Sequence, residues 1–162
     1  MYYRNRDHRI NHIGTRKNHT CYGMGIGIMV LDDAYPGFPG DVRNASAFGY
    51  PIQYEIAEGV DNHTLVWEQD KSPCRAPILA AARKLERMGC RAIAAECGYF
   101  AYFQKDVAGH VDVPVFMSSL LQTPWAQQLI CPDQRVGVFL SEKSSFHLHH
   151  LESVGIRQGT NM

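Results

Sequence analysis

The residue best placed to do chemistry is Cys97, in the stretch Cys90-Arg91-Ala92-Ile93-Ala94-Ala95-Glu96-Cys97-Gly98-Tyr99-Phe100. Ala92 to Ala95 is an apolar run with the length of a buried strand, and it stops at Glu96-Cys97-Gly98, where a helical spacing begins. That order predicts a thiol at the carboxyl end of a parallel strand and at the N-terminus of the following helix. The free amides and dipole of such a terminus stabilise a thiolate and lower its pKa. Gly98, with no side chain, lets a substrate carboxylate come close to those amides. Proton abstraction and nucleophilic attack are the two reactions open to such a group. Either needs an acid or base partner, and Glu96, Asp41 and Ser118 are the candidates that the order of elements brings near. Against this stands the commonest fate of a cysteine, a small buried hydrophobe.

Other chemistry-bearing patterns are weaker. His147 and His150 lie at i and i+3 and could present two ligands, but no His/Cys spacing reproduces a zinc site, and a solvated polar helix face accounts for them. No metal is expected. Gly23, Gly25 and Gly27 lie before and within the first strand, whereas a dinucleotide phosphate loop needs its glycines after the strand, opening a helix; that reading is rejected. Ser118-Ser119 and Ser144-Ser145 read as helix caps whose hydroxyls could also hold a carboxylate. Asp41 follows Gly40 in a Pro/Gly-rich loop and reads equally as a turn residue or as a group that binds an ammonium or polarises a base.

The elements that must position these residues are legible in outline. Cys21 to Leu31, Pro51 to Ala57, His63 to Trp67, Ala92 to Ala95, Val111 to Met117 and Arg135 to Leu140 read as strands. Ile78, Leu79, Ala82, Leu85 and Met88 recur at three and four within Arg75 to Met88, predicting an amphipathic helix stopped by Gly89. Further helices are expected through Phe100, Phe103 and Val107, from Leu120 to Leu129, and from Phe146 to Val154. Strand and helix alternate from about Cys74 onward, which predicts an α/β fold with a mostly parallel sheet flanked by helices. Residues 1–20, rich in Arg, Asn and His, are expected to form a disordered leader.

The chain has 162 residues, with 16 Lys plus Arg balanced by 16 Asp plus Glu. That length suits one ordinary domain, and the balance gives no reason to expect nucleic acid or a membrane as partner. No apolar run approaches the roughly 20 residues that span a bilayer. Five cysteines without a Cys-x-x-Cys pair argue for reduced thiols, so a cytoplasmic protein is expected.

The glycine-rich first strand, Phe38-Pro39-Gly40-Asp41 with Asn44-Ala45 and Phe48 behind it, Ala95-Glu96-Cys97-Gly98-Tyr99-Phe100, Pro114-Val115, Ser118-Ser119-Leu120-Leu121-Gln122 and Arg135-Val136-Gly137-Val138 together resemble the aspartate/glutamate racemase superfamily, with its hydantoin racemase and arylmalonate decarboxylase relatives. The resemblance covers roughly Gly23 to Gly155. It implies one lobe of a pseudo-twofold, two-lobe fold, with residues 21–133 as the first lobe and 134–162 as the start of the second. It also implies a cofactor-independent amino-acid racemase in which Cys97 abstracts or returns the proton alpha to a small carboxylate. Gly98 and Tyr99 would then hold the carboxylate through their backbone, Ser118 and Ser119 would supply hydroxyls at the next strand end, and Asp41 would be an acidic loop position.

Two departures accompany it. Glu96 stands where that family more often has Ser, Thr or Asn, and a like charge beside Cys97 opposes thiolate formation. A second thiol on the opposite face, which inversion requires, would lie beyond Met162. The chain therefore reads as incomplete or as a lobe that completes its cleft by forming a homodimer. The alternatives are a single-thiol decarboxylase-like enzyme, a non-catalytic lobe that binds a carboxylate or another subunit, and an α/β domain in which Cys97 is structural.

Overall fold

The computed structural model describes residues 14–157. Its centre is a four-stranded, fully parallel sheet of order β2-β1-β3-β4, built from β1 (Ile26–Leu31), β2 (Ile52–Ala57), β3 (Ala92–Ala95) and β4 (Val115–Phe116). In β1, Ile28 to Leu31 are all buried, the continuous apolar pattern of a strand covered on both faces. Its register aligns Met29 with Glu55 on one side and with Ala95 on the other. The carboxyl ends of β1 and β3, and with them Leu31 and Glu96, therefore meet at one edge.

Helix α1 (Arg75–Arg87) covers the sheet through Ile78, Ala81, Ala82 and Leu85. Gly27 permits the contact, since a Cβ there would lie 2.9 Å from Leu85 Cδ2 and 3.0 Å from Cys90 Sγ. The helix ends in a left-handed glycine: Gly89 has φ +81°, its N–H donates to Glu86 O at 2.9 Å, and the Cys90 N–H donates to Leu85 O at 3.3 Å. This double closure satisfies the last carbonyls. The chain preceding β1 also crosses here, with the Thr20 N–H donating to Arg87 O at 2.7 Å. A Cβ at position 89 would lie 1.9 Å from Cys21 O. Gly89→Ala is accordingly expected to cost at least about 2 kcal/mol, from backbone strain and overlap together; the urea midpoint is the measurement.

After β3 the chain turns through a 3-10 segment, Gly98–Phe103, into α2 (Gln104–Ala108). Phe100 and Phe103 fill the core with Met29, Leu65, Ile78, Leu85, Ile93 and Met117. The Gln104 amide donates to Val115 O at 3.0 Å and accepts from the Met117 N–H at 2.9 Å, pairing the outer edge of the short β4. A mixed helical run from Ser119 to Leu129 contains α3 (Thr123–Ala126), and α4 (Leu148–Ser153) closes the described chain, ended by Gly155 at φ +83°.

The α/β architecture with its parallel sheet matches the expectation, and two expected strands do not form. His63–Trp67 is a π-helical turn. Asp61 initiates it by accepting from the Thr64 N–H at 2.7 Å and the Thr64 hydroxyl at 2.8 Å, so a local side-chain bond overrides the β-propensity of Thr, Val and Trp. Residues 135–140 pair with no strand, and Phe139 is fully exposed. The expected strands at Cys21–Leu31 and Val111–Met117 shorten to β1 and β4. Residues 1–13 of the expected leader lie outside the described residues.

Candidate functional site

Cys97 stands where the order of elements puts it, two residues past the end of β3 and immediately before the 3-10 turn, in extended conformation (φ −103°, ψ 132°). It is partly buried and unpaired. The Tyr99 N–H bonds to the thiol and favours the thiolate, but burial outweighs this, and the Glu96 charge adds to burial. The Cys97 pKa therefore lies above the ordinary thiol value, opposite to the expected depression; the short 3-10 segment offers too little dipole to offset desolvation. Iodoacetamide labelling of Cys97 is expected to rise through a midpoint above that of a free thiol, and Glu96→Gln is expected to lower that midpoint. An unchanged midpoint in the variant would remove Glu96 from the electrostatics of the thiol.

Glu96 does not face the thiol unpartnered. Its carboxylate accepts from the Leu31 N–H at 2.5 Å and pairs with Arg43 Nε at 2.9 Å, while Arg43 Nη2 donates to Leu31 O at 2.9 Å. Glu96 and Arg43 thus close a ring on both polar groups of the last β1 residue, tying the β1 and β3 ends together. Burial pushes the Glu96 pKa up, against the Leu31 N–H and Arg43, which pull it down. The Tyr35 ring lies 4.9 Å over the Arg43 guanidinium, a cation–π contact. Its hydroxyl meets Asp33 at 3.3 Å and lies within the fields of Glu96 and Cys97. Burial first, and these charges after it, raise the Tyr35 pKa.

The remaining expected site residues divide. A methyl placed on Gly98 would sit 3.8 Å from Ser118 Oγ, so the thiol-bearing turn and the β4 strand end are neighbours. Ser118 is buried and caps the next turn, its hydroxyl accepting from the Leu120 N–H at 3.2 Å. Ser119 is exposed and lines a separate hollow of about 310 Å³ with Gln122, Thr123 and Val138. Tyr99 turns its side chain away from the sheet edge: its hydroxyl bonds the Glu142 backbone and its ring meets Phe146 edge-on at 5.8 Å. Asp41 accepts from the Arg43 N–H at 2.7 Å, a turn-forming bond that also sets the start of the Arg43 side chain. Among the described residues no cluster of three or more His, Cys, Asp or Glu is arranged to hold a metal ion, and no helix is long and apolar enough to cross a membrane.

Sequence reasoning missed Tyr35 and Arg43. The available signals were an aromatic residue in a Pro/Gly-rich loop directly after the first strand, and an arginine two residues beyond Asp41. Together the edge presents a thiol, an exposed glycine opening the next turn, an aromatic face and the acidic side chains of Asp33 and Asp41. Such a set can hold a small molecule carrying both an anionic and a cationic end, with a base beside it.

Comparison with known proteins bears on which molecule that is. The chain is 28% identical over 120 residues to "Dimethylsulfoniopropionate lyase 3" of Emiliania huxleyi (strain CCMP1516), covering 74% of this chain and 31% of that protein. It is 30% identical over 131 residues to "Dimethylsulfoniopropionate lyase" of Durusdinium sp. clade D, covering 77% of this chain and 42% of that one. A third, "Dimethylsulfoniopropionate lyase 5" of Emiliania huxleyi (strain CCMP1516), is 31% identical over 102 residues, 60% of this chain and 20% of the relative. The chain spans about a third of the length of the first of these relatives. No family model and no solved structure matches. These relatives are named as lyases, which overturns the expected aspartate/glutamate racemase, its isomerase reaction and its amino-acid substrate; the decarboxylase-like and non-catalytic alternatives gain no support from them. The physical reason is that a Cys-Gly step and a Ser-Ser-Leu-Leu-Gln step at strand ends report where a thiol and a cap are held, and such placement leaves the reaction that follows deprotonation undetermined.

Proposed function

We propose that this chain carries the thiol side of a dimethylsulfoniopropionate lyase active site, with Cys97 as the base. The observation that carries the proposal is the position of Cys97 at the carboxyl edge of the sheet, beside exposed Gly98 and within the field of the Tyr35 hydroxyl. Among the cysteines of the described residues, Cys97 is the one that stands directly after a strand of the sheet at this edge.

Dimethylsulfoniopropionate carries a carboxylate at one end and a dimethylsulfonium at the other, separated by two methylenes. The Cys97 thiolate takes the proton alpha to the carboxylate, the electron pair forms the carbon–carbon double bond, and the C–S bond breaks with its pair leaving on sulfur. The products are acrylate and dimethyl sulfide, with the proton on the Cys97 thiol and released afterwards to water. The 3-10 turn amides at Gly98 and the Ser118 end bind the carboxylate and stabilise the enolate-like charge that grows on it. The sulfonium is recognised by the Tyr35 face and by Asp33 and Asp41. Elimination needs one base and a leaving group that departs without protonation, so a single thiol suffices.

Small-carboxylate recognition, homodimer formation and a cytoplasmic setting belong to the same proposal; free cysteines throughout the described residues support the last. The test is headspace detection of dimethyl sulfide and equimolar acrylate from the purified chain. Release of dimethyl sulfide at the rate of the buffer control, by a folded chain, would overturn the proposal.

A further inference from the structure

The sheet edge opposite Cys97 carries a second feature. The segment before β1 and the end of α1 frame two adjoining hollows that share His19. One, about 340 Å³, is lined by Arg16, His19, Tyr22, Gly89 and Arg91 among others; the next, about 540 Å³, by Lys17, His19, Arg83 and Arg87. Both volumes lie within the roughly 300–1,000 Å³ of small-ligand sites. Among the described residues, Arg16, Lys17, Arg87 and Arg91 enter no ion pair, whereas Arg43, Arg75, Arg83 and Lys84 each have a carboxylate. Acidic groups close by are committed: Glu86 to Arg83 and the Asp112 N–H, and Asp112 to the Asn18 amide. A basic residue in the last turn of a helix answers its dipole, which accounts for Arg87. It does not account for Arg16, Lys17 or Arg91, which come from two other segments.

This chain has no net charge, so four unpaired cations on one rim are a local excess that repels itself unless an anion shares the space. The rim also holds flat rings. Tyr22 is 56% exposed, and its ring centroid lies 6.1 Å from that of His19. The Arg16 N–H donates to the Tyr22 hydroxyl at 3.2 Å, fixing the aromatic surface beside the cations. Guanidinium groups bind phosphate bidentately, and an exposed ring beside them stacks a base.

We infer that this rim is a binding site for a nucleoside polyphosphate, with the base against Tyr22 and His19 and the phosphates along Arg16, Lys17, Arg87 and Arg91. The site stands apart from Cys97 and from the lyase reading. It adds a ligand class to the chain: a phosphorylated, ring-bearing small molecule rather than a small carboxylate.

The experiment is calorimetric titration of the full chain at low ionic strength with ATP, inorganic triphosphate and adenosine. Arg16→Glu/Arg91→Glu, both at exposed positions, is expected to weaken ATP and triphosphate by at least tenfold and to leave Cys97 labelling unchanged. The neutral pair Arg16→Gln/Arg91→Gln is expected to fall between. Tyr22→Ala is expected to weaken ATP about 5- to 150-fold, the range of one base–aromatic stack, and to leave triphosphate unaffected. Absence of ATP binding to the unaltered chain would overturn the inference, as would equal affinity of the Arg16→Glu/Arg91→Glu chain. Tighter binding of a single-stranded oligonucleotide than of ATP through the same residues would overturn the small-ligand assignment.

Discussion

Cys97→Ser is expected to reduce dimethyl sulfide release by roughly 10²–10⁴-fold, the usual loss when a positioned base is removed. Serine preserves the size of the side chain and the bond from the Tyr99 N–H, so the fold and the carboxylate-binding turn stay in place. It loses the capacity to become an anion at accessible pH. A structural cysteine would give the opposite result, since exchanging sulfur for oxygen at a partly buried position leaves a reaction that does not use it nearly untouched. Deuterium exchange at the alpha carbon separates the steps. An unaltered chain that exchanges without releasing dimethyl sulfide retains the base and fails at C–S cleavage. A Cys97→Ser chain that still exchanges places the base elsewhere. Because burial and Glu96 raise the thiol pKa, the rate of the unaltered chain is expected to climb with pH through neutrality rather than to level off below it.

The position of Cys97 was legible because strand ends are written in local sequence. Ala92-Ile93-Ala94-Ala95 is too short for a helix, the glycine stop of α1 precedes it, and Gly98 opens the next turn. The 63–67 segment was not legible, since His-Thr-Leu-Val-Trp carries strand propensity and the decision belongs to Asp61, whose side chain captures the Thr64 N–H. Residues 135–140 carry the same propensity and stay unpaired, because pairing depends on which strand edge is free and that is settled at the level of the sheet. The Arg43–Glu96 ring lay furthest out of reach. It depends on the register that sets Met29 opposite Ala95, and it pairs with a guanidinium the carboxylate whose charge still raises the thiol pKa. The thiol was readable while its electrostatics were not, and the resemblance it suggested therefore named the wrong reaction.

His150 is expected to make the fold lose stability on mild acidification. The ring is fully buried, stacked on Phe146 at 4.5 Å and met edge-on by Tyr99 and Tyr102. Its Nδ1 lies 3.0 Å from the His147 N–H and 3.1 Å from His147 O, while Nε2 is buried without a partner. Protonation would leave a charged Nε2–H with nothing to receive it, near the buried Lys71 and beside His147 and His149. Burial foremost, then these neighbouring charges, pushes the His150 pKa down to about 4. The unfolded chain takes up the proton near the ordinary value of about 6.5. Between those two values the unfolded state holds more protons, so stability is fully present above about pH 6.5 and is lost as pH falls toward about 4. From pH 7 to pH 5 the loss amounts to about 2 kcal/mol, before the carboxylates contribute appreciably. Urea midpoints across that interval measure it. His150→Leu keeps an apolar body in the pocket and has no proton to bind, so its midpoint is expected to stay nearly flat from pH 7 to pH 5. If the variant and the unaltered chain decline in parallel, His150 does not titrate with unfolding and the acid sensitivity arises elsewhere.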